Sequence, residues 1–317
     1  MHSEARHSGM THFPATRTHC RMFSLLKTSS FSSSALWWWK RQATTTVCLL
    51  LWLLLCGTSS SRLLWGQDAV RPTQDAPLRL LLIGDSTVKN GSGRGDGGLW
   101  GWGQVLQQKF SPEMVQVVNR ARGGRSSRTY RTEGLWEEAQ KELRPGDFVL
   151  IQFGHNDGGQ MFEGDRPRAS IKGNGEESRE GTVEATGVEE TVHSYGWYLR
   201  KYIAEAKLAG ATPIVLSPVP RNRWQGEQVL RADADYGKWA RQAAQQMEVP
   251  FIDLNELVAL RYEDLGQSHV AGQLFTETDW THTTKAGAEV NADCVVAGLL
   301  QLSEEDWKGR LAKKAPN

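Results

Sequence analysis

The feature that most constrains the fold is a set of short aliphatic runs separated by longer stretches with helical periodicity. The runs lie at residues 80–83, 115–118, 148–153, 213–216 and 250–253. Short, almost purely apolar runs predict strands buried on both faces, which is typical of a parallel sheet covered by helices. Helices are predicted near residues 99–110, 132–143, 191–209, 226–247 and 285–302. This alternation predicts one doubly wound α/β domain.

The segment before this pattern has the composition of a secretory leader. Residues 1–46 are rich in Ser, Thr, Arg and His, and an apolar core at 47–55 follows Lys40 and Arg41. Small residues at 57–61 come next. A basic flank, a short apolar core and small residues predict a signal peptide, and this core is shorter than the ~20 apolar residues that span a bilayer. We therefore expect a secreted or periplasmic protein.

Two alternatives for the leader remain open. Because the leader is unusually long, translation could start at a later methionine such as Met22. A lipid anchor on Cys56 is the second alternative. Otherwise we expect the mature protein to begin between Thr58 and Asp68 and to have no stable membrane association. The expected segments are a leader at 1–66, a linker at 67–77, a globular domain at 78–305 and a tail at 306–317.

Cysteine usage and charge narrow the possibilities further. Three cysteines lie in the leader, so Cys294 is left alone and cannot form an internal disulfide. Its neighbours in the helical pattern are valines, which predicts a small, buried, apolar role. The formal net charge of the chain is +1, and this gives no indication of a nucleic-acid partner.

Three polar blocks beside the apolar runs contain the residue types of an esterase site. Ser86 follows the first run in the block Gly-Asp-Ser-Thr, and Asn156 follows the third in Gly-His-Asn-Asp. Asp279 and His282 stand three residues apart in Asp-Trp-Thr-His, in a predicted loop before the last helix. Acyl transfer requires a nucleophile, an oxyanion donor and a base held by a carboxylate. The three blocks supply this set in chain order.

Each block taken alone has a simpler interpretation. Ser86 and Asn156 could be turn residues after strands, and Asp279 with His282 could be a helix cap beside a surface histidine. His155 and Asp157 are interpreted as scaffolding, although His155 is the only rival to His282 as a base. The remaining histidines of the domain lack the spacing of metal ligands, so no metal and no cofactor are expected.

An arginine-rich segment at 119–131 follows the second predicted strand and reaches the same edge of the sheet. Its five arginines suggest an anionic substrate, because guanidinium pairs with carboxylate in a bidentate manner. They could equally tie loops to nearby acidic residues. Residues 158–190 are rich in Gly and Glu and lack either period, which predicts a long loop over the site.

With these residues in view, the chain resembles the SGNH (GDSL-type) hydrolases, and more narrowly the rhamnogalacturonan acetylesterases. The resemblance covers roughly residues 78–302, including the blocks at 84–87, 123–128, 153–159, 191–200 and 279–283. It implies a three-layer flavodoxin-like α/β fold. It also implies Ser86 as nucleophile, His282 as base and Asp279 as its partner. The oxyanion hole would consist of the backbone amides of Ser86 and Gly124 and the side chain of Asn156.

The function expected from these observations is removal of O-acetyl groups from a polysaccharide, acetylated rhamnogalacturonan above all. Arg125 and His155 are candidate substrate-binding residues, because both lie beside the predicted oxyanion groups. The alternatives are an esterase for another acyl ester, such as acetylxylan, sialate or a lipid, and a carbohydrate-binding relative that has lost catalysis. If the chain removes O-acetyl groups from a polysaccharide, an acetylated polysaccharide is its expected partner.

Overall fold

The computed structural model describes residues 76–232 and 234–312, so the predicted signal peptide and Cys56 lie outside the described residues. At its centre is a parallel sheet of five strands in the order β2-β1-β3-β6-β9. The strands are β1 Leu78–Gly84, β2 Val115–Asn119, β3 Phe148–Gln152, β6 Thr212–Leu216 and β9 Phe251–Ile252. Every strand that the aliphatic runs predict is therefore present.

The remaining strands form three antiparallel pairs outside the central sheet. They are β4 Ser178–Val183 with β5 Val188–His193, β7 Trp224–Gln225 with β8 Gln228–Val229, and β10 Phe275–Thr276 with β11 Asp279–Thr283. The α-helices are α1 Trp102–Val105, α2 Thr129–Thr132, α3 Leu135–Gln140, α4 Tyr195–Leu208, α5 Tyr236–Gln246, α6 Leu254–Leu265, α7 Gln267–His269, α8 Lys285–Leu302 and α9 Glu304–Trp307.

Strand β1 shows why the sheet is covered on both faces. Successive side chains of a strand point to opposite faces, and here both sets are apolar. Leu80 and Leu82 belong to one buried cluster, whereas Leu81 and Ile83 belong to a second cluster on the other face. All four side chains are fully buried. A strand of this kind is stable only between two layers of helices.

The two faces are covered by different helices, which gives the three-layer arrangement. Residues of α1, α6 and α8 pack with the Leu80 cluster. Residues of α3, α4 and α5 pack with the Leu81 cluster, where Trp136 and Tyr202 meet edge to face at 5.1 Å. The predicted α/β fold with a parallel sheet between helices is thus confirmed. The predicted burial of Cys294 is confirmed as well, and burial raises the pKa of its thiol to about 12.

The helices differ from their predicted bounds where short strands intervene. The helix predicted from residue 191 begins at Tyr195, because 191–193 belong to β5 and the hydroxyl of Ser194 caps the helix by accepting from the Trp197 amide. The helix predicted from 226 begins only at Tyr236, after the β7–β8 hairpin. Helix α6 was not predicted from the sequence.

Residues 158–190, predicted as a loop, contain most of the β4–β5 hairpin. The two strands pair over six residues each, from Ser178 opposite His193 to Val183 opposite Val188. Five of the six β4 positions are not buried. The sequence of the strand therefore contains charged residues and shows little alternation of apolar and polar residues. Hydrophobic periodicity therefore could not reveal this hairpin.

The folded unit extends beyond the boundary predicted at residue 305. Trp307 is buried, and its ring contacts Phe110 and Phe148 at centroid distances of 6.0 and 5.1 Å. Leu311 forms a backbone bridge with Phe110. Among the described residues, no helix combines the length and apolar character needed to cross a membrane.

The side chain of Arg128 connects the β4–β5 hairpin, and the segment before it, to the rest of the domain by hydrogen bonds. Its side chain is 1% exposed and makes a bidentate pair with Glu190, with both distances 2.7 Å. A third nitrogen donates to the carbonyls of Met161 and Ala169. The guanidinium nitrogens of Arg128 all donate to groups of the protein itself. Arg128 therefore has a structural rather than a substrate-binding role.

We expect Arg128→Ala to lower the free energy of unfolding by about 3 kcal/mol or more, because it leaves Glu190 and two carbonyls without a partner. The matched control is Arg120→Ala, which removes an exposed pair with Glu142 and should cost less than about 1 kcal/mol. Urea unfolding followed by fluorescence measures both. Equal losses in the two variants would contradict the structural role of Arg128.

Candidate active site

Ser86 stands at the carboxyl end of β1, where a buried aspartate shapes the turn. Asp85 is fully buried, and its Oδ1 accepts from the backbone N–H of Thr87 at 2.9 Å and from the Thr87 hydroxyl at 2.8 Å. A Cβ on Gly84 would lie 2.5 Å from the carbonyl oxygen of Gln152, so the residue before the turn must be glycine. Ser86 is thereby held at the edge of the sheet where ligands bind in such folds.

Asp279 and His282 lie on the short strand β11, not in the loop that the sequence predicted. The strand is easily missed, because it has only five residues and forms two pairs with β10 on either side of a bulge. His282 Nε2 is 2.7 Å from Ser86 Oγ, and His282 Nδ1 is 2.7 Å from Asp279 Oδ2. Serine, histidine and aspartate therefore form one continuous line of hydrogen bonds.

The carboxylate of Asp279 is held in its ionised form. Burial by itself would raise the pKa of Asp279, but three hydrogen bonds outweigh it and lower the pKa. They come from the backbone N–H and the imidazole of His282 and from the backbone N–H of Thr281. A charged Asp279 fixes the His282 tautomer that presents an unprotonated Nε2 to Ser86.

Ser86 and Gly124, which both line the cavity, each carry a backbone N–H group. Within the described residues, the N–H groups of Ser86 and Gly124 have no hydrogen-bond acceptor. Gly124 has a φ of +79°, and a Cβ there would lie 2.8 Å from a terminal nitrogen of Arg166. This left-handed conformation and the close approach of Arg166 favour glycine at position 124.

Asn156 completes the group of donors beside Ser86. Its Nδ2 donates one hydrogen bond to the carbonyl of Arg125 at 3.0 Å. An amide nitrogen carries two hydrogens, so the second remains for a ligand. The same contact fixes the orientation of the side chain and joins the Gly124 segment to the end of β3.

Asp157, interpreted from the sequence as scaffolding, connects three segments of the site. Its carboxylate accepts from the backbone amide of Ser127 at 3.1 Å, and from the hydroxyls of Ser127 and Ser170. It is completely buried, and burial raises its pKa to about 6, against the opposing effect of the serine hydrogen bonds. Asp157 makes no contact with Ser86 or His282.

His155 lies in the wall of the cavity but apart from the line of hydrogen bonds. It is half-buried, burial lowers the pKa of its imidazole, and its buried Nε2 has no partner among the described residues. Ser86 Oγ bonds to His282 instead, which favours His282 over His155 as the base.

The arginines of the 119–131 segment differ in whether they pair with an acidic residue. Arg120, Arg125, Arg128 and Arg131 pair with Glu142, Glu133, Glu190 and Glu205 respectively. The interpretation that they tie loops to acidic residues therefore holds for most of them. Arg125 still lines the cavity while paired, and Arg122 lines it with no acidic partner among the described residues.

Three further arginines reach the cavity from segments that sequence reasoning did not single out. Arg166 and Arg168 come from the segment after Asn156, and Arg221 follows β6. Arg168 donates to the carbonyl of Gly124 at 3.1 Å, and Arg221 donates to the carbonyl of His155 at 3.3 Å. The Arg-Pro-Arg sequence at 166–168, ten residues after Asn156, is a signal that could have been noticed.

These residues enclose a cavity of about 620 Å³ that opens beside Ser86. Five arginines line it, and Asp279 is the one acidic residue in the lining among the described residues. The 76–232 and 234–312 ranges contain no cluster of three His, Cys, Asp or Glu side chains that could hold a metal ion. The arrangement can deliver a serine nucleophile to an ester carbonyl and stabilise negative charge next to it.

Comparison with known proteins agrees with this chemistry. Residues 82–290 match the model of the GDSL-like lipase/acylhydrolase family. A rhamnogalacturonan acetylesterase of Emericella nidulans is 32% identical over 221 residues, which are 70% of this chain and 84% of the relative. The probable rhamnogalacturonan acetylesterase YesY of Bacillus subtilis is 32% identical over 227 residues, covering 70% of this chain and 93% of the relative.

A solved structure supports the fold. The crystal structure of the YxiM protein from Bacillus subtilis superposes with a TM-score of 0.57 at 24% identity. The match covers 73% of this chain and 58% of the YxiM chain. At this identity the similarity concerns the fold alone.

The buried carboxyl of Asp157 predicts a pH-dependent contribution to stability. Its pKa in the folded protein, about 6, lies above the ordinary value of 3.8, so the folded state holds the proton more tightly than the unfolded state. The proton on Asp157 therefore stabilises the folded state most below about pH 4, and this stabilisation is lost as the pH rises through 6. We expect the stability difference between the native protein and Asp157→Asn to fall over this range. Urea unfolding of both proteins at a series of pH values measures it, and a difference that grows with pH would contradict the prediction.

Proposed function

Because the chain belongs to the GDSL-like lipase/acylhydrolase family and is a carboxylic ester hydrolase, we propose that it removes O-acetyl groups from acetylated rhamnogalacturonan. The observation that carries this proposal is the hydrogen-bonded line from Ser86 through His282 to Asp279, beside the backbone N–H groups of Ser86 and Gly124, which have no acceptor among the described residues. The reaction is acyl transfer through an acetyl-enzyme.

In the acylation step, Ser86 Oγ attacks the carbonyl carbon of the acetyl ester while His282 Nε2 takes the hydroxyl proton. The negative charge that develops on the carbonyl oxygen is stabilised by the amides of Ser86 and Gly124 and by the second N–H of Asn156. His282 then gives its proton to the sugar oxygen, which leaves as an alcohol. Asp279 stabilises the imidazolium throughout.

In the deacylation step, water replaces the sugar. His282 Nε2 takes a proton from the water, whose oxygen attacks the acetyl carbonyl carbon. The second tetrahedral intermediate collapses when the proton returns to Ser86 Oγ, and acetate leaves. No metal is needed, because the nucleophile is activated by a base and the oxyanion is stabilised by hydrogen-bond donors.

The proposed substrate rests on the relatives and on the charge of the cavity. Both relatives named above carry rhamnogalacturonan acetylesterase in their names. Arg122, Arg166 and Arg168 line the cavity without a salt bridge to an acidic residue among the described residues. Guanidinium groups in this state favour a substrate with carboxylates, such as the galacturonate units of pectin, and the same lining disfavours an acyl lipid.

Secretion forms part of the proposal and rests on the sequence. The basic flank at Lys40 and Arg41 and the short apolar core at 47–55 support export through a signal peptide. A pectic polymer lies outside the cell that degrades it, so an exported enzyme fits the proposed substrate.

The catalytic assignment predicts that Ser86→Ala and His282→Ala each lower kcat on a small acetyl ester by about 10³-fold or more. The double variant should be little worse than either single one, because the residues act as a unit. His269→Ala, which removes a histidine outside the cavity, is the matched control. Release of p-nitrophenol from the acetate ester measures these four variants and His155→Ala. Substantial activity in Ser86→Ala, or loss in His155→Ala without loss in His282→Ala, would reverse the assignment.

The substrate assignment predicts faster release of acetate from acetylated rhamnogalacturonan than from acetylated xylan. The preference should weaken as salt is raised, because exposed ion pairs are screened within about 10 Å at 0.1 M ionic strength. Acetate release from both polymers, at low and high salt, measures the preference, and hydrolysis of neutral p-nitrophenyl acetate is the control for general salt effects. Equal or faster release from xylan at low salt would remove the pectic assignment and leave a general carbohydrate esterase.

A further inference from the structure

A second cavity adjoins the catalytic one, and the mechanism makes no use of it. It has a volume of about 490 Å³ and lies behind the ends of β3 and β6. We call it the flanking cavity and define it by Gly154, Pro218, Arg221, Arg223, Leu230 and Tyr236. His155 and Arg221 line both cavities. The two cavities therefore share part of their lining, which places the flanking cavity within reach of a polymer bound at Ser86.

Two arginines of the flanking cavity lack the acidic partners that a third arginine has. Arg231 pairs with both Glu256 and Glu263. Arg221 and Arg223, in contrast, have no salt bridge within the part of the chain that the structure describes. Burial and the nearby positive charge of Arg223 lower the pKa of the Arg221 guanidinium. Two guanidinium groups in this state gain stability when an anion enters the cavity.

One acidic residue does line the cavity, but its carboxylate is engaged elsewhere. Asp235 Oδ1 accepts from the backbone amide of Tyr236 at the start of α5, at 2.5 Å. Its charge partly offsets that of Arg221, and it forms no salt bridge with it. The cavity therefore keeps two positive groups available for a ligand.

Buried polar atoms without partners are concentrated in the same walls. Among the described residues, Arg221 Nε, Tyr236 Oη and His155 Nε2 are buried and make no hydrogen bond. Unpaired polar atoms of this kind are uncommon in folded proteins, because each one costs free energy until it finds a partner. A ligand with several hydroxyl groups supplies such partners as both donors and acceptors.

An exposed aromatic ring lies beside these arginines. Trp280 stands between the catalytic Asp279 and Thr281, and its side chain is 52% exposed. The guanidinium of Arg223 lies over the ring at 5.4 Å, and the amide of Asn222 donates to the Trp280 carbonyl at 2.8 Å. A flat apolar surface next to a cation matches the apolar face and the carboxylate of a uronic acid ring.

We propose that the flanking cavity, with Arg221, Arg223 and the face of Trp280, is a binding subsite for a uronic acid residue of the polymer other than the sugar that carries the acetyl ester. This inference rests on the proposed function and deepens it, because it assigns recognition to a sugar that does not react. An enzyme built in this way selects acidic chains over isolated acetylated sugars.

The first test is binding without hydrolysis. An unacetylated oligosaccharide of two galacturonate-rhamnose repeats is titrated by calorimetry into the native protein, Arg223→Gln and Arg144→Gln. Arg144→Gln is the matched control, because it removes the same charge from an exposed residue just before β3, at the opposite edge of the sheet. We expect Arg223→Gln to weaken binding about tenfold, the effect of losing one charge-assisted hydrogen bond. Equal affinities in the two variants, or equal binding of neutral xylotetraose by the native protein, would overturn the subsite.

The second test separates this inference from the proposed function. The ratio of kcat/KM on acetylated rhamnogalacturonan to kcat/KM on p-nitrophenyl acetate should fall about tenfold in Arg223→Gln, through KM, and should not change in Arg144→Gln. If the native protein deacetylates the polymer and the ratio is the same in both variants, the subsite is excluded while the proposed function stands. If the native protein binds the acidic oligosaccharide through Arg223 but releases no acetate from the polymer, the proposed function fails and the subsite stands.

Discussion

The hydrogen bonds of one buried carboxylate hold together the loops on which the site depends. Asp157 follows Asn156 at the end of β3, and it accepts from Ser127 in the segment that carries Gly124 and from Ser170 in the segment that carries Arg166 and Arg168. Burial of this charge is costly, as its raised pKa shows, and its three serine donors offset part of the cost. The oxyanion groups and the arginines of the cavity therefore keep their relative positions through one shared acceptor.

The central sheet and the placement of the candidate reactive residues beside it could be predicted because their signals are local. Five aliphatic runs predict the five strands. Ser86 follows the end of β1 and Asn156 follows the end of β3, so both lie at one edge of the sheet. The β4–β5 hairpin could not be predicted, because its strands are mostly solvent-exposed and are held by Arg128 rather than by an apolar face. Helix α6 also could not be predicted from the sequence, because its apolar positions follow the short strand β9 without a clear break in composition.

The role of each arginine could not be predicted, because it depends on contacts between residues far apart in the sequence. Arg120 pairs with a glutamate 22 residues away, Arg128 with one 62 residues away and Arg131 with one 74 residues away. Only the fold decides which guanidinium groups find such partners. The sequence suggested a cationic site correctly in kind, but most of its positive lining comes from Arg166, Arg168 and Arg221, outside the segment that suggested it.

The same positive lining has consequences for both binding and catalysis. Under the proposed function, a carboxylate-bearing polymer is attracted to the cavity by arginines that have no salt bridge among the described residues, so its binding relieves unfavourable repulsion within the protein. In the proposed mechanism the same field also stabilises the oxyanion beside Gly124, because Arg168 donates to the Gly124 carbonyl and a terminal nitrogen of Arg166 lies 2.8 Å from where a Cβ of residue 124 would stand. Neutralisation of the arginines by substrate carboxylates reduces this second effect. A site that uses both must therefore keep some arginines for the polymer and leave stabilisation of the oxyanion mainly to the neutral N–H groups of Ser86, Gly124 and Asn156.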